Sequence, residues 1–566
     1  MYNIDIIGDK LVMKKSIWDE QELFLASCLW WDYDPSTGTI TADLNSTIKR
    51  SIKEFLNVAY PTFMNNVAYK TERNALSADL RSVYSGIHSK VESMARTKVP
   101  YWDKMYSHQK EAAISMYYRR VTFLAFQQRV GKSLTMMTHA LATSRNRTVI
   151  VCMDVGKWNY MRDMTSKLWN TPVEAFSPYD FTILDSQKRK CVQAFHEKYV
   201  IINYEAMPKY MDYLVDGTGV MADHIVFDEC QAIKNTSSAR HKMADKLIQS
   251  CPDARITLMS GTPVMNRLDD MFAYFKLSRH PLGANKKKFD DMFIRRSSGR
   301  YSRVIGSKDS SKLFSMSSNF MIRKRLDECS DIPSKSHVKM YYPIGDWKDQ
   351  YMSAIQDAIM NKGSRVRESC IHSINNIMAQ AKIPGTFDFI KQLVDQDEKV
   401  VVFTSYSEPL NRMEQLLIEN KINYVRIDGS IDGKEKVERA FKFNEDPDVM
   451  VAICNMKAAG HSINLSAASY INVINYPMSP MELDQAIFRT DTVDKKKKTT
   501  VYYSTCVGDE GENTVDMRLA DLNESKVFDI NNFVDKGKDV DDILNATDAI
   551  YSEILKQYGS DNSKEE

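Results

Sequence analysis

Two short segments of this chain carry side chains able to hold and attack a phosphoanhydride. The first is Gly131-Lys132-Ser133, which follows the apolar run Val121–Phe126 and the loop 127–130 and opens an apolar helical stretch. A loop set between a strand and a helix offers main-chain N–H groups and the positive helix end to phosphate. Its lysine neutralises the β and γ oxygens, and its serine hydroxyl ligates Mg2+. The full spacing asks for glycine at 126, where the chain has Phe126, and Arg129 stands where many such loops have glycine. By itself the tripeptide has a chance reading as well as a chemical one.

The second segment is Asp228-Glu229, at the end of the buried-strand run Ile225-Val226-Phe227. An acidic pair at the C-terminal end of a parallel strand sits beside the phosphate loop in a RecA-like sheet. Asp228 can hold Mg2+ through water, and Glu229 can orient or deprotonate an attacking water. A solvated pair at a strand end is the plain alternative. The order of segments favours the chemical reading, because Ser260-Gly261-Thr262-Pro263 follows at a further strand end.

These side chains need a scaffold. From residue 100 onward, apolar runs at Val121–Phe126, 148–153, Tyr199–Asn203, His224–Phe227 and 256–259 alternate with amphipathic stretches, which implies a parallel sheet covered by helices on both faces. A second α/β series begins near 386, with strands expected at Val400–Thr404, Tyr424–Ile427, 449–453, 470–474 and 500–503. Between the two, 281–385 loses the rhythm, carries Lys286-Lys287-Lys288, Arg295-Arg296 and Arg323-Lys324-Arg325, and turns helical over 347–362; it reads as a helical basic insertion. Residues 1–100 form a small α+β accessory domain with strand-like pieces at 4–7 and 39–42, a helix at 45–58 and a Trp30-Trp31 pair. That pair and Tyr33 have two readings of similar weight, a small core or nucleic-acid stacking. The divisions are therefore 1–100, lobe one at 101–280, the insertion at 281–385, lobe two at 386–530 and an acid-rich tail at 531–566.

Composition adds little. Seventy-six basic against 74 acidic residues leave a net charge of +2, so any positive groove must be local. Nine cysteines, an odd count in a long chain with no CxxC pair, show no zinc-ligand spacing and argue against a disulfide framework. The N-terminal residues lack a signal-peptide layout and no apolar stretch has membrane-spanning length, so a soluble cytoplasmic protein is expected.

The ordered set resembles superfamily II helicases and translocases. His108-Gln109 stands before the phosphate loop as that superfamily's adenine-reading glutamine does, and Ser260–Pro263 resembles the segment linking the acidic pair to the second lobe. Asn203-Tyr204-Glu205, the run DECQAIKNTSSAR from Asp228 and the run FMIRKRLDECSDIPSK from Phe320 are similar to the Swi/Snf-type branch. In the second series VVFTS at 401–405, RIDGS at 426–430, AAGHSINL at 458–465 and DQAIFR at 484–489 resemble that branch's motifs. Departures are Cys230-Gln231 for Ala-His, Ala459 and Ser462 at glycine positions, and Thr492 for the second arginine of RxxR.

The resemblance implies two RecA-like parallel-sheet lobes in tandem with ATP and Mg2+ between them. It assigns Lys132, Glu229, Gln485 and Arg489 to catalysis; Gln109, Gly131, Lys132, Ser133 and Gly460 to the nucleotide; and Ser133 and Asp228 to the metal. It places nucleic acid at Asn235, Thr404, Ser405, Arg323, Lys324 and Arg325. The implied activity is translocation along duplex or branched DNA by a monomer of compact phage or bacterial type, with the accessory domain choosing substrate. A strand-separating DNA or RNA helicase, and a catalytically weak binding module suggested by Thr492, stand as alternatives.

Overall fold

The computed structural model describes residues 3–7, 10–14, 32–34, 36–43, 92–117, 119–143, 146–165, 181–184, 197–215, 221–263, 268–296, 304–310, 312–313, 317, 320–326, 328–329, 335–360, 364–459, 463–477, 480–491 and 497–520. At the N-terminus β1 (Asn3–Ile7), β2 (Lys10–Lys14), β3 (Asp32–Asp34) and β4 (Thr39–Asp43) form an antiparallel sheet of order β1-β2-β4-β3. Two of these strands are the ones expected at 4–7 and 39–42. The helix expected at 45–58 and the Trp30-Trp31 pair lie outside the described residues.

Lobe one is a seven-stranded parallel sheet. Its strands are β5 (Val121–Phe126), β6 (Thr148–Cys152), β7 (Phe181–Leu184), β8 (Tyr199–Asn203), β9 (His224–Phe227), β10 (Arg255–Met259) and β13 (Met321–Lys324), in the order β13-β5-β10-β9-β6-β8-β7. Strands β5, β6, β8 and β9 are buried along their whole length. Such continuous apolar runs mark strands covered on both faces. Alternation along β5 divides the core: Val121, Phe123 and Ala125 join one hydrophobic cluster, Leu124 and Phe126 the other.

Lobe two repeats the plan with six parallel strands, β14 (Ser336–Pro343), β15 (Val400–Thr404), β16 (Tyr424–Ile427), β17 (Val451–Asn455), β18 (Tyr470–Val473) and β19 (Thr500–Val507), in the order β14-β19-β18-β15-β17-β16.

The structure apportions 281–385 between the lobes. A basic helix, Lys286–Phe293, and the antiparallel hairpin of β11 (Ile294–Arg296) and β12 (Val304–Ser307) are followed by β13, which completes the lobe-one sheet, and β14, which forms the edge of lobe two. Phe320 anchors β13: its carbonyl accepts from Phe123 N at 2.7 Å and its ring packs on Phe123 and Phe275. The expected helix around 347–362 is Lys348–Met360, which packs into the lobe-two core with Ser364–Ala381.

Candidate active site

The phosphate loop leaves the end of β5 and enters the helix Lys132–Thr143. Gly131 takes φ +99°, and a Cβ there would lie 2.1 Å from Gln109 Nε2, so both backbone and space demand glycine. Gln109 is buried; it donates to Val130 O at 3.1 Å and accepts from Tyr106 N at 3.2 Å, while His108 Nε2 lies 3.0 Å from Val130 O. Both residues thus back the loop. Lys132 is buried and donates to Phe126 O at 3.1 Å and Gln127 O at 3.4 Å. Burial lowers its pKa to about 8, against the pull of Glu229 and Asp228. Ser133, in the first helical turn, is exposed.

Asp228 ends β9, where its amide donates to Val151 O at 2.8 Å. Its Oδ2 accepts from Tyr160 Oη at 3.0 Å and its Oδ1 from Glu229 N at 3.0 Å. Burial and the neighbouring Glu229 push Asp228 up to about 6, although Lys132 pulls the other way. Tyr160 is itself buried, so its hydroxyl fixes Asp228 Oδ2 from within the lobe-one core.

Glu229 adopts φ +49°, a left-handed conformation rare for a non-glycine residue, and the chain turns at once into the short helix Cys230–Ile233. From there a line of hydrogen bonds crosses the cleft. Gln231 Nε2 donates to Glu229 Oε2 at 2.7 Å, and Ser260 Oγ donates to Gln231 Oε1 at 2.8 Å. Thr262 N donates to Ser260 Oγ at 3.1 Å, and Gln485 Nε2 of lobe two donates to Thr262 Oγ1 at 2.7 Å. Gln231, a departure from the expected histidine, thereby ties the acidic pair through Ser260 and Thr262 to the second lobe.

Lobe two contributes the helix Pro480–Ile487 and the turn Phe488–Thr490. Arg489 is buried, with Nη2 3.7 Å from Glu229 Oε1. Facing it, Arg129 of the phosphate loop reaches over to lobe two and donates to Arg489 O at 2.8 Å, Asn464 Oδ1 at 3.0 Å and Phe488 O at 3.2 Å. One cleft therefore gathers Lys132, Asp228 and Glu229 from lobe one with Gln485 and Arg489 from lobe two.

The donor set fits a nucleoside triphosphate and a hard divalent ion. Lys132 rests on main-chain carbonyls, Gln128 Nε2 is buried with no hydrogen-bond partner, and Gly261 leaves space beside both: a Cβ there would stand 2.8 Å from Gln128 Nε2 and 3.2 Å from Lys132 Nζ. Oxygen ligands for the ion are at hand in Ser133 and Asp228.

Two families match the chain in succession, the SNF2-related domain over residues 165–384 and the helicase conserved C-terminal domain over residues 385–492. The chain belongs to the Swi/Snf-type branch of the superfamily II helicases. The phosphate loop precedes the matched residues, so its assignment rests on the geometry above. A mouse relative, DNA annealing helicase and endonuclease ZRANB3, is 24% identical over 318 residues, covering 54% of this Swi/Snf-type chain and 30% of the relative. A Caenorhabditis elegans relative, the SWI/SNF-related matrix-associated actin-dependent regulator of chromatin subfamily A-like protein 1 homolog, is 27% identical over 49% of this chain and 42% of its own length. The matches thus span less than half of each of these relatives. The Sulfolobus solfataricus SWI2/SNF2 ATPase core in complex with dsDNA aligns over 76% of this chain and 97% of its own at 16% identity, with a TM-score of 0.33, too loose to add to the topology above.

The residues expected to grip nucleic acid are less uniform. Asn235 is exposed and accepts from Ser237 N and Oγ. Thr404 is buried, its hydroxyl donating to Asn475 Oδ1 at 2.9 Å, and Ser405 N donates to the same oxygen at 2.8 Å. Arg323 turns inward, donating to Ala125 O at 2.9 Å and Gly261 O at 3.2 Å, which puts its charge beside the phosphate loop. Lys324 and Arg325 are half-buried; Lys324 O accepts from Gln127 N, and Arg325 N donates to Glu328. Gly460 and Thr492 lie outside the described residues. Among the described residues no helix is long and apolar enough to cross a membrane.

Proposed function

We propose that this Swi/Snf-type chain hydrolyses ATP with Mg2+ and uses the cycle to translocate along duplex DNA. The observation that carries this reading is the approach of Arg489 to Glu229 across the cleft, because the reactive constellation is complete only when the lobes meet. Lys132 and the loop amides would hold the phosphates, and Ser133 and Asp228 the ion. Bound Mg2+ supplies charge neutralisation on the phosphate oxygens. Glu229, oriented by Gln231 at Oε2 and facing Arg489 at Oε1, would orient the attacking water and take its proton. Arg489 meets negative charge as it develops, and the Gln231–Ser260–Thr262–Gln485 line keeps the lobes in register while it does.

Opening and closing of such a cleft moves two grips along a strand, and grips on phosphates confer little sequence preference. DNA is named as the substrate of the mouse relative. The test is ATP turnover measured alone and with duplex DNA, single-stranded DNA or RNA, together with triplex displacement and duplex unwinding. Strong stimulation by duplex DNA with triplex displacement and no unwinding is expected. Stimulation by RNA alone, or no turnover with any of them, would overturn the reading.

A further inference from the structure

Arg129 occupies a costly position. Its φ of +66° lies in the left-handed region that favours glycine. The backbone there stores strain of a kind that persists only where the surroundings hold it. What holds it is lobe two. Arg129 Nε donates to Phe488 O at 3.2 Å, and one Nη reaches Arg489 O at 2.8 Å, Asn464 Oδ1 at 3.0 Å and Ile463 O at 3.4 Å.

The acceptors share a purpose. Phe488 O and Arg489 O belong to the turn that ends the helix Pro480–Ile487, where the local dipole favours a cation; Phe488 O also accepts from Asp491 N at 3.3 Å. Arg489 O also accepts from Leu465 N at 2.9 Å, so the segment 463–465 and the turn 488–490 are fastened to each other and both to Arg129. Main chain and side chain of Arg489 then leave in different directions: the carbonyl is held by the phosphate loop, and the guanidinium faces Glu229.

A planar guanidinium can serve several such acceptors together, whereas a lysine ammonium carries its charge at a single point. From the other side Lys335 braces the same turn, with Nζ 2.6 Å from Asp491 Oδ2 and 3.8 Å from the centre of the Phe488 ring. The turn carrying Arg489 is thus held by cations from outside its own helix. Of these only Arg129 sits on the loop that receives phosphate, three residues before Lys132.

We propose that Arg129 is a positioning residue: a latch that crosses from the phosphate loop to the Phe488–Arg489 main chain of lobe two and so sets Arg489 opposite Glu229. The proposal rests on the ATPase reading for its kinetic consequence but not for its structural one. Loss of the latch leaves Lys132 and its loop able to bind nucleotide and frees the backbone from which Arg489 extends. The transition state loses more than the ground state.

The experiment uses the full chain as wild type, Arg129→Ala, Arg129→Lys, Arg489→Ala and the double variant Arg129→Ala/Arg489→Ala, assayed for ATP turnover with saturating duplex DNA. Arg129→Ala should lower kcat roughly tenfold or more while KM for ATP moves less than about threefold. Arg129→Lys should recover only part of the loss. The double variant should be no slower than Arg489→Ala, because a residue acting only through Arg489 has nothing left to position. A wild-type rate in Arg129→Ala, or losses that multiply in the double variant, would overturn the proposal. A second measurement separates this from the function itself: the distance between dyes attached through unnatural amino acids at positions 221 and 418, both exposed, one on each lobe. Without nucleotide, Arg129→Ala should broaden that distance distribution relative to wild type. An unchanged distribution counts against the latch even if the wild type proves to have no ATP turnover, a result that would sink the ATPase reading alone.

Discussion

Arg489 Nη2 stands 3.7 Å from Glu229 Oε1, each side chain 7% exposed, with the two residues on different lobes. At that distance the pair forms an electrostatic contact without a tight hydrogen bond, so the guanidinium can turn towards an incoming phosphate. Arg489→Ala should therefore lower kcat by roughly a thousandfold while ATP affinity changes far less, since an arginine of this kind acts mainly on the transition state. Single-turnover hydrolysis and fluorescent-nucleotide titration on the same preparation check this. A kcat close to wild type would remove Arg489 from the mechanism.

Lys132 and Glu229 should separate binding from chemistry. Lys132→Ala removes the loop's phosphate-facing charge and should weaken ATP binding and abolish turnover together. Glu229→Gln keeps the size and the hydrogen-bonding reach towards Gln231, so ATP binding should persist while turnover falls by roughly a thousandfold. Equilibrium nucleotide binding beside a phosphate-release assay distinguishes the two variants.

The lowered pKa of Lys132 gives a pH dependence with a definite sign. Burial disfavours its ammonium, offset in part by Glu229 and Asp228, and the group titrates at about 8. The free protein loses its phosphate-facing charge as pH rises through that value, so kcat/KM for ATP should fall above about pH 8, by roughly tenfold per unit. The limb should be weaker in kcat, because bound phosphate favours the ammonium. Lys132→Arg keeps its charge and should show a flat, lower kcat/KM between pH 7 and 9. The same shift favours the neutral amine in the folded protein, so its contribution to stability rises with pH from about 8 towards the ordinary lysine value.

Much of this was legible in the sequence for a physical reason. Strands buried on both faces, such as β5 and β9, are unbroken apolar runs, and chemistry at their C-terminal ends stands next to them in the chain. Edge strands lack that signal. β13 reads Met-Ile-Arg-Lys with every residue only half-buried, so nothing in its sequence marks the pairing with β5 or the inward turn of the Arg323 guanidinium to Ala125 O and Gly261 O. The motif that carries Thr404 likewise gives no sign that its hydroxyl is buried on Asn475. Arg129 reads in the sequence only as a departure from a glycine pattern, because its partners lie more than 300 positions further along the chain.

The basic helix Lys286–Phe293 is less free than its charge run suggests. Lys286 Nζ lies 2.5 Å from Asp290 Oδ1, and Arg296 Nη2 lies 2.7 Å from Asp290 Oδ2. Lys287, Lys288 and Arg295 are exposed, and these are the charges expected to meet phosphate. If the helix lies on the DNA path, Lys287→Ala/Lys288→Ala should weaken duplex binding evenly across sequences and make the slope of log K against log salt shallower by roughly one to two. Lys286→Ala should change that slope less. Fluorescence anisotropy at several salt concentrations decides it, and an unaltered slope in the double variant would place the DNA elsewhere.

A second contact between the lobes predicts a purely steric defect. Gly433 opens the lobe-two helix Gly433–Glu445 against Asp154, the first residue of the lobe-one helix Asp154–Thr165. A Cβ at 433 would stand 2.3 Å from Asp154 Oδ2 and 3.1 Å from the main chain of Asp154 and Val155. The carboxylate cannot swing freely, because its Oδ1 is 2.8 Å from the ammonium of the fully buried Lys157. The approach is also sealed by Val155, which is buried in the lobe-two hydrophobic cluster with Trp158 against it. Gly433→Leu should therefore hold the lobes apart and lower duplex-stimulated turnover by roughly tenfold, while ATP binding, which depends on lobe one, stays within about twofold of wild type. Gly433→Ala should be milder, and Asp154→Ala should rescue it by removing the atom its methyl meets. Turnover in Gly433→Leu equal to wild type would mean that these helices are not in contact when the site is closed. Failure of Asp154→Ala to rescue Gly433→Ala would assign the clash to the main chain.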